Sequence, residues 1–406
     1  MYKLTEGGVC AAQGFKAAGI HVGVKTKNKD KKDIALIVSD CECTAAAVYT
    51  KNIVKAAPLD VTKNNLQDGR ARAVFVNSGN ANACAPLGLE NAKRMCNSLA
   101  KELGIDKNDV IVASTGVIGQ TLPIDVIEGG AAELAGVLSY TGSKDAAAAI
   151  MTTDLTMKEI AVEFTVGGKL CKLGGIAKGS GMIHPNMGTM LAFLTTDCAV
   201  SSDMIQKALI FATNISFNRV SVDGDTSTND MLSLMANGLA GNTEITKPGA
   251  DYDIFVEALN AICVELAKMI AADGEGATHL ITCTVKNAAD EETAEILAKS
   301  VISSTLVKAM IFGKDANIGR ILCALGYSGV DFDPHLVDIA LKSTAGQVVV
   351  CESGTGIKFD EDLALRILTE HDIIIDISMN AGTVGCTCWG CDITYDYIKI
   401  NGDYRT

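Results

Sequence analysis

Short apolar runs and amphipathic stretches alternate along the first third of the chain, a pattern typical of strands and helices that follow one another. Apolar runs of strand length lie at residues 33–39, 44–49, 71–76 and 110–113. Between the last two runs, apolar residues recur every three or four positions, at Ala92, Met95, Leu99 and Leu103. They line one face of a helix that Gly104 can end, because glycine readily adopts a left-handed conformation. This alternation predicts an α/β fold of mixed sheets and helices.

The rest of the chain continues the alternation, beginning with a strand over residues 189–194. Ser201 or Ser202 can then cap a helix that starts at Asp203. A longer helix keeps apolar residues at helical spacing, at Phe255, Leu259, Ile262, Leu266 and Met269, and ends at Gly274. Further strands are predicted at residues 278–285, 337–341, 347–351, 372–377 and 393–400, and further helices at 292–308 and 362–368.

Length and composition describe a folded protein of two domains. The chain has 406 residues, of which 48% are hydrophobic and 20% are charged, enough to form two cores. We predict a larger core domain over residues 1–285 and a smaller C-terminal α/β domain over residues 286–406. No stretch rich in proline and serine marks the boundary between them.

The charge balance argues against several classes of partner. The net charge is -13 and the pI is near 4.9, and no block of basic residues interrupts this acidic composition. No apolar run approaches the roughly 18 residues of a membrane span, and the amino terminus lacks the pattern of a leader. We therefore expect a cytoplasmic protein that binds neither nucleic acid nor membrane.

The fourteen cysteines raise the question of a metal site. Cys386, Cys388 and Cys391 are clustered, and Cys41 and Cys43 form the only other close pair, so the spacing leaves a zinc site open without predicting one. Most other cysteines are scattered through apolar segments, as reduced thiols are in a cytosolic core. None of the five histidines lies in an H-E-x-x-H motif. We expect no metal and no cofactor.

The bond between Gly188 and Thr189 carries the most informative chemistry in the sequence, at the junction of a loop and a strand. A threonine hydroxyl becomes a good nucleophile when the residue is the first of a chain, because its own α-amine then acts as the base. Glycine at 188 lets the hydroxyl approach the preceding carbonyl. This predicts self-cleavage into an alpha chain, 1–188, and a beta chain, 189–406. The alternative is an ordinary turn before a strand.

The segment around this bond resembles the K-G-x-G-M-I-x-P-x-M-A-T-M-L motif of the ornithine acetyltransferase (ArgJ) family, whose members cleave themselves before the threonine. The matching residues are Lys178, Gly179, Gly181, Met182, Ile183, Pro185, Met187, Thr189, Met190 and Leu191. Within this motif the chain departs from the family at Gly188, which is usually alanine. A second family segment, D-P-N-W-G-R-I, corresponds to residues 315–321, where Ala316 and Ile318 replace the proline and the tryptophan. The resemblance, which extends over nearly the whole chain, implies a self-processing acyltransferase with an N-terminal threonine, its acyl-transfer site in the larger domain.

A second loop supplies a candidate oxyanion hole. Acyl transfer to Thr189 passes through a tetrahedral oxyanion that needs fixed hydrogen-bond donors. The resemblance implies that these are the Thr115 hydroxyl and the Gly116 backbone N–H, in a glycine-containing turn after a predicted strand. Without the resemblance, the sequence of this segment predicts only an ordinary turn at the end of a strand.

The resemblance also implies a set of substrate-binding residues. The family's substrates, N-acetylornithine and glutamate, carry carboxylate and ammonium groups, so the site needs charges of both signs. The implied residues are Thr152, Lys178, Thr189, Glu275, Asn401 and Thr406. At the first of these positions the neighbouring Thr153 is an equally good candidate.

One acidic loop looks like a calcium-binding motif but fails its requirements. Asp223, Asp225 and Asn229 have the spacing of oxygen ligands, yet Thr228 occupies the position of the obligatory glycine, and Leu234 that of the bidentate glutamate. We predict a polar loop held by hydrogen bonds.

The resemblance implies transfer of acetyl from N2-acetylornithine to glutamate through an acetyl-Thr189 intermediate, by a ping-pong mechanism in arginine biosynthesis. The use of acetyl-CoA as a second acetyl donor is left open. The family implies that two alpha and two beta chains assemble. One alternative keeps the nucleophile but uses water as the acceptor, which gives an amidohydrolase or aminopeptidase. Another is a non-catalytic amino-acid sensor.

Overall fold

The computed structural model describes residues 2–26, 30–184 and 190–403. The predicted cleavage site, Gly188 and Thr189, and the predicted binding residue Thr406 lie outside these ranges. The described residues form two compact units. The first unit draws on Met1–Gly179, Pro185–Asn218 and Thr226–Leu266, and the second on Ser180–His184, Arg219–Asp225 and Ala267–Thr406.

The described residues form strands and α-helices in mixed order. The strands are β1 (Tyr2–Thr5), β2 (Phe15–Ile20), β3 (Ile34–Tyr49), β4 (Arg70–Asn77), β5 (Val110–Ser114), β6 (Lys158–Val166), β7 (Lys169–Lys178), β8 (Leu191–Thr196), β9 (Val220–Ser221), β10 (Met231–Ala236), β11 (Leu280–Ala288), β12 (Asp338–Ser343), β13 (Gly346–Glu352), β14 (Thr355–Gly356), β15 (Asp372–Ser378) and β16 (Val384–Cys391). The helices are α1 (Ala57–Asn65), α2 (Gly88–Leu103), α3 (Ile124–Gly136), α4 (Ser143–Ile150), α5 (Ser202–Ile215), α6 (Ala250–Ala272), α7 (Glu291–Ser303), α8 (Thr305–Phe312), α9 (Ile318–Gly326), α10 (Glu361–Ile367) and α11 (Tyr395–Gly402). The predicted α/β fold class is confirmed.

The first unit is built on a 9-stranded sheet with the order β1-β6-β7-β8-β10-β3-β4-β5, in which β2 also pairs with β3. Most neighbours are antiparallel, but β8 runs parallel to β10, and β4 runs parallel to β5. Leu191 at the start of β8 is paired with Lys178 on one side and with Met231 on the other. The first residues of β8 therefore lie between the end of β7 and the start of β10.

Both faces of this sheet are covered by apolar side chains. Successive residues of β3 alternate between two clusters: Ala35 and Ile37 belong to one, and Ile34 and Leu36 to the other. Helix α4 contributes to the first cluster, and helices α2 and α3 contribute to the second. Each fully buried large apolar side chain contributes about 1.5 to 3 kcal/mol of transfer free energy, so the sheet is a rigid support for the loops at its strand ends.

The second unit has a 7-stranded sheet with the order β14-β13-β12-β15-β11-β16-β9. Helix α7 packs on β11 and β16, and α10 packs on β13. Ala316 and Ile318, which depart from the family motif, lie against the apolar core of this unit. At these two positions the chain therefore uses aliphatic packing.

Most of the predicted elements are confirmed, with three differences. The predicted strands at 33–39 and 44–49 are one continuous strand, β3. The predicted helix at 292–308 is divided at Ser304, whose hydroxyl caps the start of α8. The strand predicted at 393–400 is wrong, because strand β16 ends at Cys391 and residues 395–402 form the helix α11. No helix in the described part of the chain is long and apolar enough to cross a membrane.

Candidate active site

The turn after β5 places Thr115 and Gly116 at a strand end of the first unit. The backbone N–H of Thr115 donates to the Asn77 carbonyl at 2.9 Å, which joins the ends of β4 and β5. Gly116 has a φ of 126°, and a Cβ at this position would lie 2.6 Å from the carbonyl carbon of Gly79. Only glycine fits there, because a side chain would be strained and would collide with backbone atoms.

The same turn is also held by the side chain of Asn229, a residue that precedes β10. Its side-chain amide donates to the Ser114 carbonyl at 2.7 Å and to the Ala81 carbonyl at 2.6 Å. Asn229 is buried, so both hydrogen bonds are shielded from water. The turn that bears Thr115 is therefore fixed on both sides before any substrate binds.

Lys178 and Thr115, both predicted from the sequence, lie together. Lys178 is the last residue of β7, is only 8% exposed, and donates from Nζ to the Thr115 Oγ1 at 3.4 Å. Because the hydroxyl oxygen accepts from the ammonium group, its own hydrogen can be donated elsewhere. The arrangement can present a polarised O–H group to a negatively charged oxygen.

Asp154 connects the segments of two further predicted residues, Thr152 and Lys178. Its Oδ1 accepts from the Gly179 backbone N–H at 2.7 Å and from Lys158 Nζ at 2.7 Å, and its Oδ2 accepts from the Thr152 backbone N–H at 3.0 Å. Burial alone would raise the pKa of Asp154, but the charges of Lys178 and Lys158 outweigh it and hold that pKa well below its usual range. The carboxylate is therefore ionised and fixes both segments.

Lys25 is a second cation beside these groups. Its Nζ donates to the Met151 carbonyl at 2.8 Å and to the Lys32 carbonyl at 2.7 Å, so it holds the residue before Thr152. Burial lowers the pKa of Lys25 to about 8, although the nearby Asp33 opposes the shift. Lys25 therefore begins to lose its positive charge as the pH rises towards 8.

Asp230 immediately precedes β10 and lies beside Met190, which follows the predicted nucleophile in the chain. Its carboxyl group is within reach of the Ser227 and Thr50 hydroxyls and of the Met190 backbone N–H. The residue is 2% exposed, and its Oδ2 has no hydrogen-bond partner among the described residues. Burial raises the pKa of Asp230 well above its usual range, against the opposing charge of Lys178.

In the second unit, Glu275 and Asn401 are brought together. Glu275 follows α6, is 6% exposed, and its Oε2 accepts from the side-chain amide of Asn401 at 2.7 Å. Its backbone N–H donates to the Ser180 carbonyl at 3.0 Å. The carboxylate is therefore oriented by helix α11, on which Asn401 lies, and by the chain at Ser180.

Asp392 anchors the loop that leads away from Glu275. Its carboxylate accepts from the backbone N–H groups of Thr278 and His279 at 2.8 and 3.0 Å, and from the Thr278 hydroxyl at 2.5 Å. Burial would raise the pKa of Asp392, but its hydrogen bonds to His279 and Thr278 lower it below the usual range. The loop is thus tied to the strand end at β16.

Thr153 lies between Thr152 and Asp154, and no described contact favours its side chain over that of Thr152. Cys386 and Cys388 point to the same face of β16, and Cys391 to the opposite face. Within residues 2–26, 30–184 and 190–403, no group of three or more His, Cys, Asp or Glu side chains could hold a metal ion.

Sequence reasoning missed Asp154, Asn229 and Asp392, which hold the candidate site in place. Asp154 left no recognisable local signal, because its carboxylate accepts the backbone N–H of Thr152, two residues earlier, whereas the common Asx turn uses the N–H two residues later. The partners of Asn229 at Ala81 and Ser114 are more than a hundred residues away in the chain. No local pattern could have identified them.

Comparison with known proteins places the chain in a family. The profile of the ArgJ family matches residues 16–406. The arginine biosynthesis bifunctional protein ArgJ of Symbiobacterium thermophilum is 50% identical over 401 residues, which cover 98% of this chain and 99% of that protein. The protein of the same name from Caldanaerobacter subterraneus subsp. tengcongensis is 48% identical over 405 residues, which cover 100% of both chains.

A solved structure agrees with this assignment. The crystal structure of the arginine biosynthesis bifunctional protein ArgJ from Bacillus halodurans is 45% identical to this chain and superposes with a TM-score of 0.50. The match covers 99% of that solved chain and 53% of this one. The chain described here belongs to the ArgJ family.

Proposed function

We propose that the chain is a glutamate N-acetyltransferase that moves acetyl from N2-acetylornithine to glutamate in arginine biosynthesis. Membership of the ArgJ family supports this function. The observation that carries it is the hydrogen bond from the Lys178 ammonium to the Thr115 hydroxyl, beside a turn in which only Gly116 fits. These groups form an oxyanion hole that exists before substrate binds.

In the first half-reaction, the Thr189 hydroxyl oxygen attacks the acetyl carbon of N-acetylornithine while its proton passes to the α-amine of the same residue. The negative charge on the carbonyl oxygen is stabilised by the Thr115 O–H and the Gly116 N–H, each worth about 3 to 4 kcal/mol. The carbon–nitrogen bond then breaks, the proton moves to the departing nitrogen, and ornithine leaves. In the second half-reaction, the amine of glutamate attacks acetyl-Thr189, and the same steps run in reverse.

The nucleophile is created by self-cleavage between Gly188 and Thr189, which separates an alpha chain, 1–188, from a beta chain, 189–406. One observation supports this step. The solved Bacillus halodurans chain is covered almost completely and corresponds to only 53% of this chain. Residues 189–406 likewise make up slightly more than half of the sequence.

The charged substrates are recognised by groups of opposite sign. Lys178 and Thr152 serve the substrate carboxylate, and their positions are fixed by the shared carboxylate of Asp154. Glu275, oriented by Asn401, serves a substrate ammonium group, and Thr406 completes the contacts. Glutamate and N-acetylornithine both carry an α-carboxylate, so one cationic group can serve both half-reactions.

The test is the fate of the chain when its nucleophile is removed. Intact-mass measurement of the wild-type protein is expected to show two pieces divided before Thr189. The Thr189→Ala protein should stay whole and lose turnover, whereas Thr189→Ser, which keeps a hydroxyl, should still cleave. Incubation with N-acetylornithine should add about 42 Da to the beta chain, the increment of a covalent acetyl group. Cleavage that persists in the alanine variant would refute the proposal.

The same assay separates the alternatives. A hydrolase would release acetate from N-acetylornithine at the same rate without glutamate, and an amino-acid sensor would bind ligand without the mass increase. The names of the relatives, which describe bifunctional proteins, favour acetyl-CoA as a second acetyl donor. We therefore expect acetylglutamate to form from acetyl-CoA and glutamate, and not with the Thr189→Ala protein. We also expect two alpha and two beta chains in the assembly, which native mass measurement would count.

A further inference from the structure

In the acidic loop that resembles a calcium site, the first carboxylate, that of Asp223, accepts hydrogen bonds from backbone N–H groups. Asp223 accepts from the Met182 N–H at 2.6 Å through Oδ2 and from the Ile183 N–H at 2.8 Å through Oδ1. Its Oδ1 also accepts from the Asp225 N–H at 3.2 Å. Three backbone donors therefore converge on one carboxylate, and two of them belong to the segment that leads to the predicted cleavage site.

That segment, residues 180–183, has a strained conformation. Met182 adopts a φ of 56°, in the left-handed region that residues other than glycine rarely occupy, at a cost of about 1 to 2 kcal/mol. Successive N–H groups around such a residue point in one direction and form a concave site for an anion. The Asp223 carboxylate fills that site and offsets the strain with charge-assisted hydrogen bonds.

The segment is also fixed on either side of Met182. The Ser180 hydroxyl donates to the Asp273 carbonyl at 2.7 Å, and the Ile183 carbonyl accepts from the Val222 N–H at 2.7 Å. All of these residues belong to the second unit. The chain therefore leaves Ile183, five residues before Gly188, in a direction that Asp223 largely determines.

We propose that Asp223 is a positioning residue for self-cleavage, which holds the strained segment 180–183 so that the chain approaches the Gly188–Thr189 bond in a reactive direction. This inference rests on the proposed function. In self-cleavage the attacking hydroxyl and the scissile carbonyl belong to adjacent residues, so the path of the backbone sets how often they meet in the right geometry. Acetyl transfer after the cut no longer uses the 188–189 linkage. Asp223 therefore controls the rate of processing and not the rate of turnover.

The experiment compares Asp223→Asn with Asp225→Asn, an exposed carboxylate two residues along the same loop. In the first variant an amide group faces a backbone N–H, so at least one of the two hydrogen bonds to the segment is lost. Freshly synthesised full-length chains are followed by intact mass over time. We expect Asp223→Asn to cleave 10- to 100-fold more slowly than wild type, and Asp225→Asn to stay within about twofold.

A second measurement distinguishes positioning from a general loss of structure. The maximal steady-state rate is divided by the number of cleaved molecules, which are counted by the 42 Da acetyl increment, to give kcat per cleaved molecule. We expect Asp223→Asn to match wild type in kcat within about threefold on this basis, whereas KM can change because Ser180 and Gly181 of the same segment contact Glu275. A fall in kcat per cleaved molecule as large as the fall in the cleavage rate would overturn the inference.

Met182 supplies a test that leaves Asp223 untouched, for the case in which Asp223→Asn does not fold. Its side chain is 41% exposed, so substitution there leaves the core intact. Met182→Val should slow cleavage, because a β-branched residue disfavours a positive φ. Met182→Gly should cleave at least as fast as wild type and should restore part of the rate lost in Asp223→Asn, since glycine needs no help to adopt this conformation.

The outcomes separate this inference from the proposed function. If wild type is cut while Asp223→Asn and Met182→Val are cut at the control rate, the positioning role of Asp223 is wrong and the acetyltransferase proposal stands. If wild type is neither cut nor acetylated, both are wrong.

Discussion

The Glu275 carboxylate rests against the α-carbon of Gly181. A Cβ added at residue 181 would lie 2.4 Å from the carboxyl carbon and 2.4 Å from its Oε2, far inside the contact distance of carbon and oxygen. Gly181 has no positive φ, so the requirement for glycine comes from this contact and not from the backbone. The position of the predicted substrate-binding carboxylate therefore depends on the absence of a side chain at residue 181.

This contact predicts the effect of Gly181→Ala. The methyl group should push the Glu275 carboxylate away from its hydrogen bond with Asn401 and raise the KM for N-acetylornithine about tenfold or more, equivalent to about 1.4 kcal/mol of binding. Steady-state kinetics on the cleaved protein measure the effect. Gly136→Ala in α3 is the matched control, because nothing lies within 4 Å of a Cβ there. An unchanged KM in Gly181→Ala would show that Glu275 does not contact substrate.

A second prediction concerns the oxyanion hole. Thr115→Val keeps the shape of the side chain but removes the hydroxyl that accepts from Lys178. We expect kcat to fall 100- to 1000-fold with little change in KM, because the lost hydrogen bond forms only as charge develops on the acetyl oxygen.

Thr121→Val, in an exposed position of the following loop, serves as the control for Thr115→Val and should keep full activity. A change in KM without a change in kcat at residue 115 would assign Thr115 to substrate binding instead. A kcat within threefold of wild type would exclude it from the oxyanion hole.

The elements were largely predictable because their hydrophobic periods are regular. Helix α2 has apolar residues on one face, and Gly104 ends it with a φ of 65°, as the sequence predicts. Helix α11 was mistaken for a strand because Tyr395 and Ile398 have high strand propensity. None of its described residues is buried, so no burial pattern distinguished helix from strand. The boundary at residue 285 stays a prediction.

The candidate site was predictable only where a motif names its residues. Thr115, Lys178 and Glu275 were identified through family resemblance, and their roles stay predictions. Asp154 and Asp223 were not identified as functional, because each acts on backbone N–H groups that any sequence can provide. Asp223 binds the N–H groups of residues about forty positions earlier, and such pairing leaves no mark in local composition.

The buried ion pair between Asp154 and Lys158 gives a stability prediction. Their side chains are 0% and 1% exposed, with 2.7 Å between Oδ1 and Nζ. Asp154→Asn should lower the free energy of unfolding by about 3 to 5 kcal/mol, because the Lys158 ammonium group loses its buried counter-charge. Chemical denaturation measures the loss.

The double variant Asp154→Asn with Lys158→Met should recover much of that stability, since a buried apolar side chain of similar length needs no counter-charge. If the double variant is no more stable than Asp154→Asn alone, the loss comes from the backbone hydrogen bonds to Thr152 and Gly179 or from the charge of Lys178, and not from the ion pair with Lys158.

The last prediction concerns the pH dependence that Asp230 gives to stability. Burial raises the pKa of this carboxyl well above the value near 3.9 expected in the unfolded chain, so the folded protein keeps a proton that the unfolded protein releases. Its contribution to stability is complete below about pH 4 and is lost as the pH rises through the folded-state pKa. The amide of Asp230→Asn cannot ionise, so this variant loses no stability through residue 230 as the pH rises.

The free energy of unfolding of Asp230→Asn should therefore rise relative to that of wild type between pH 5 and 8, by up to about 1.4 kcal/mol per pH unit while the folded-state pKa lies above the pH. Urea denaturation at several pH values measures this difference. Ser233→Ala is the control, because Ser233 lies on β10, which directly follows Asp230, is equally buried and does not titrate, so its difference from wild type should not vary with pH. A difference for Asp230→Asn that is also constant would mean that the carboxylate is ionised in the folded protein. Asp230 would then place a negative charge beside Met190, the residue that follows Thr189. That charge would stabilise the protonated form of the Thr189 α-amine proposed for the cleaved chain and would oppose its use as a base.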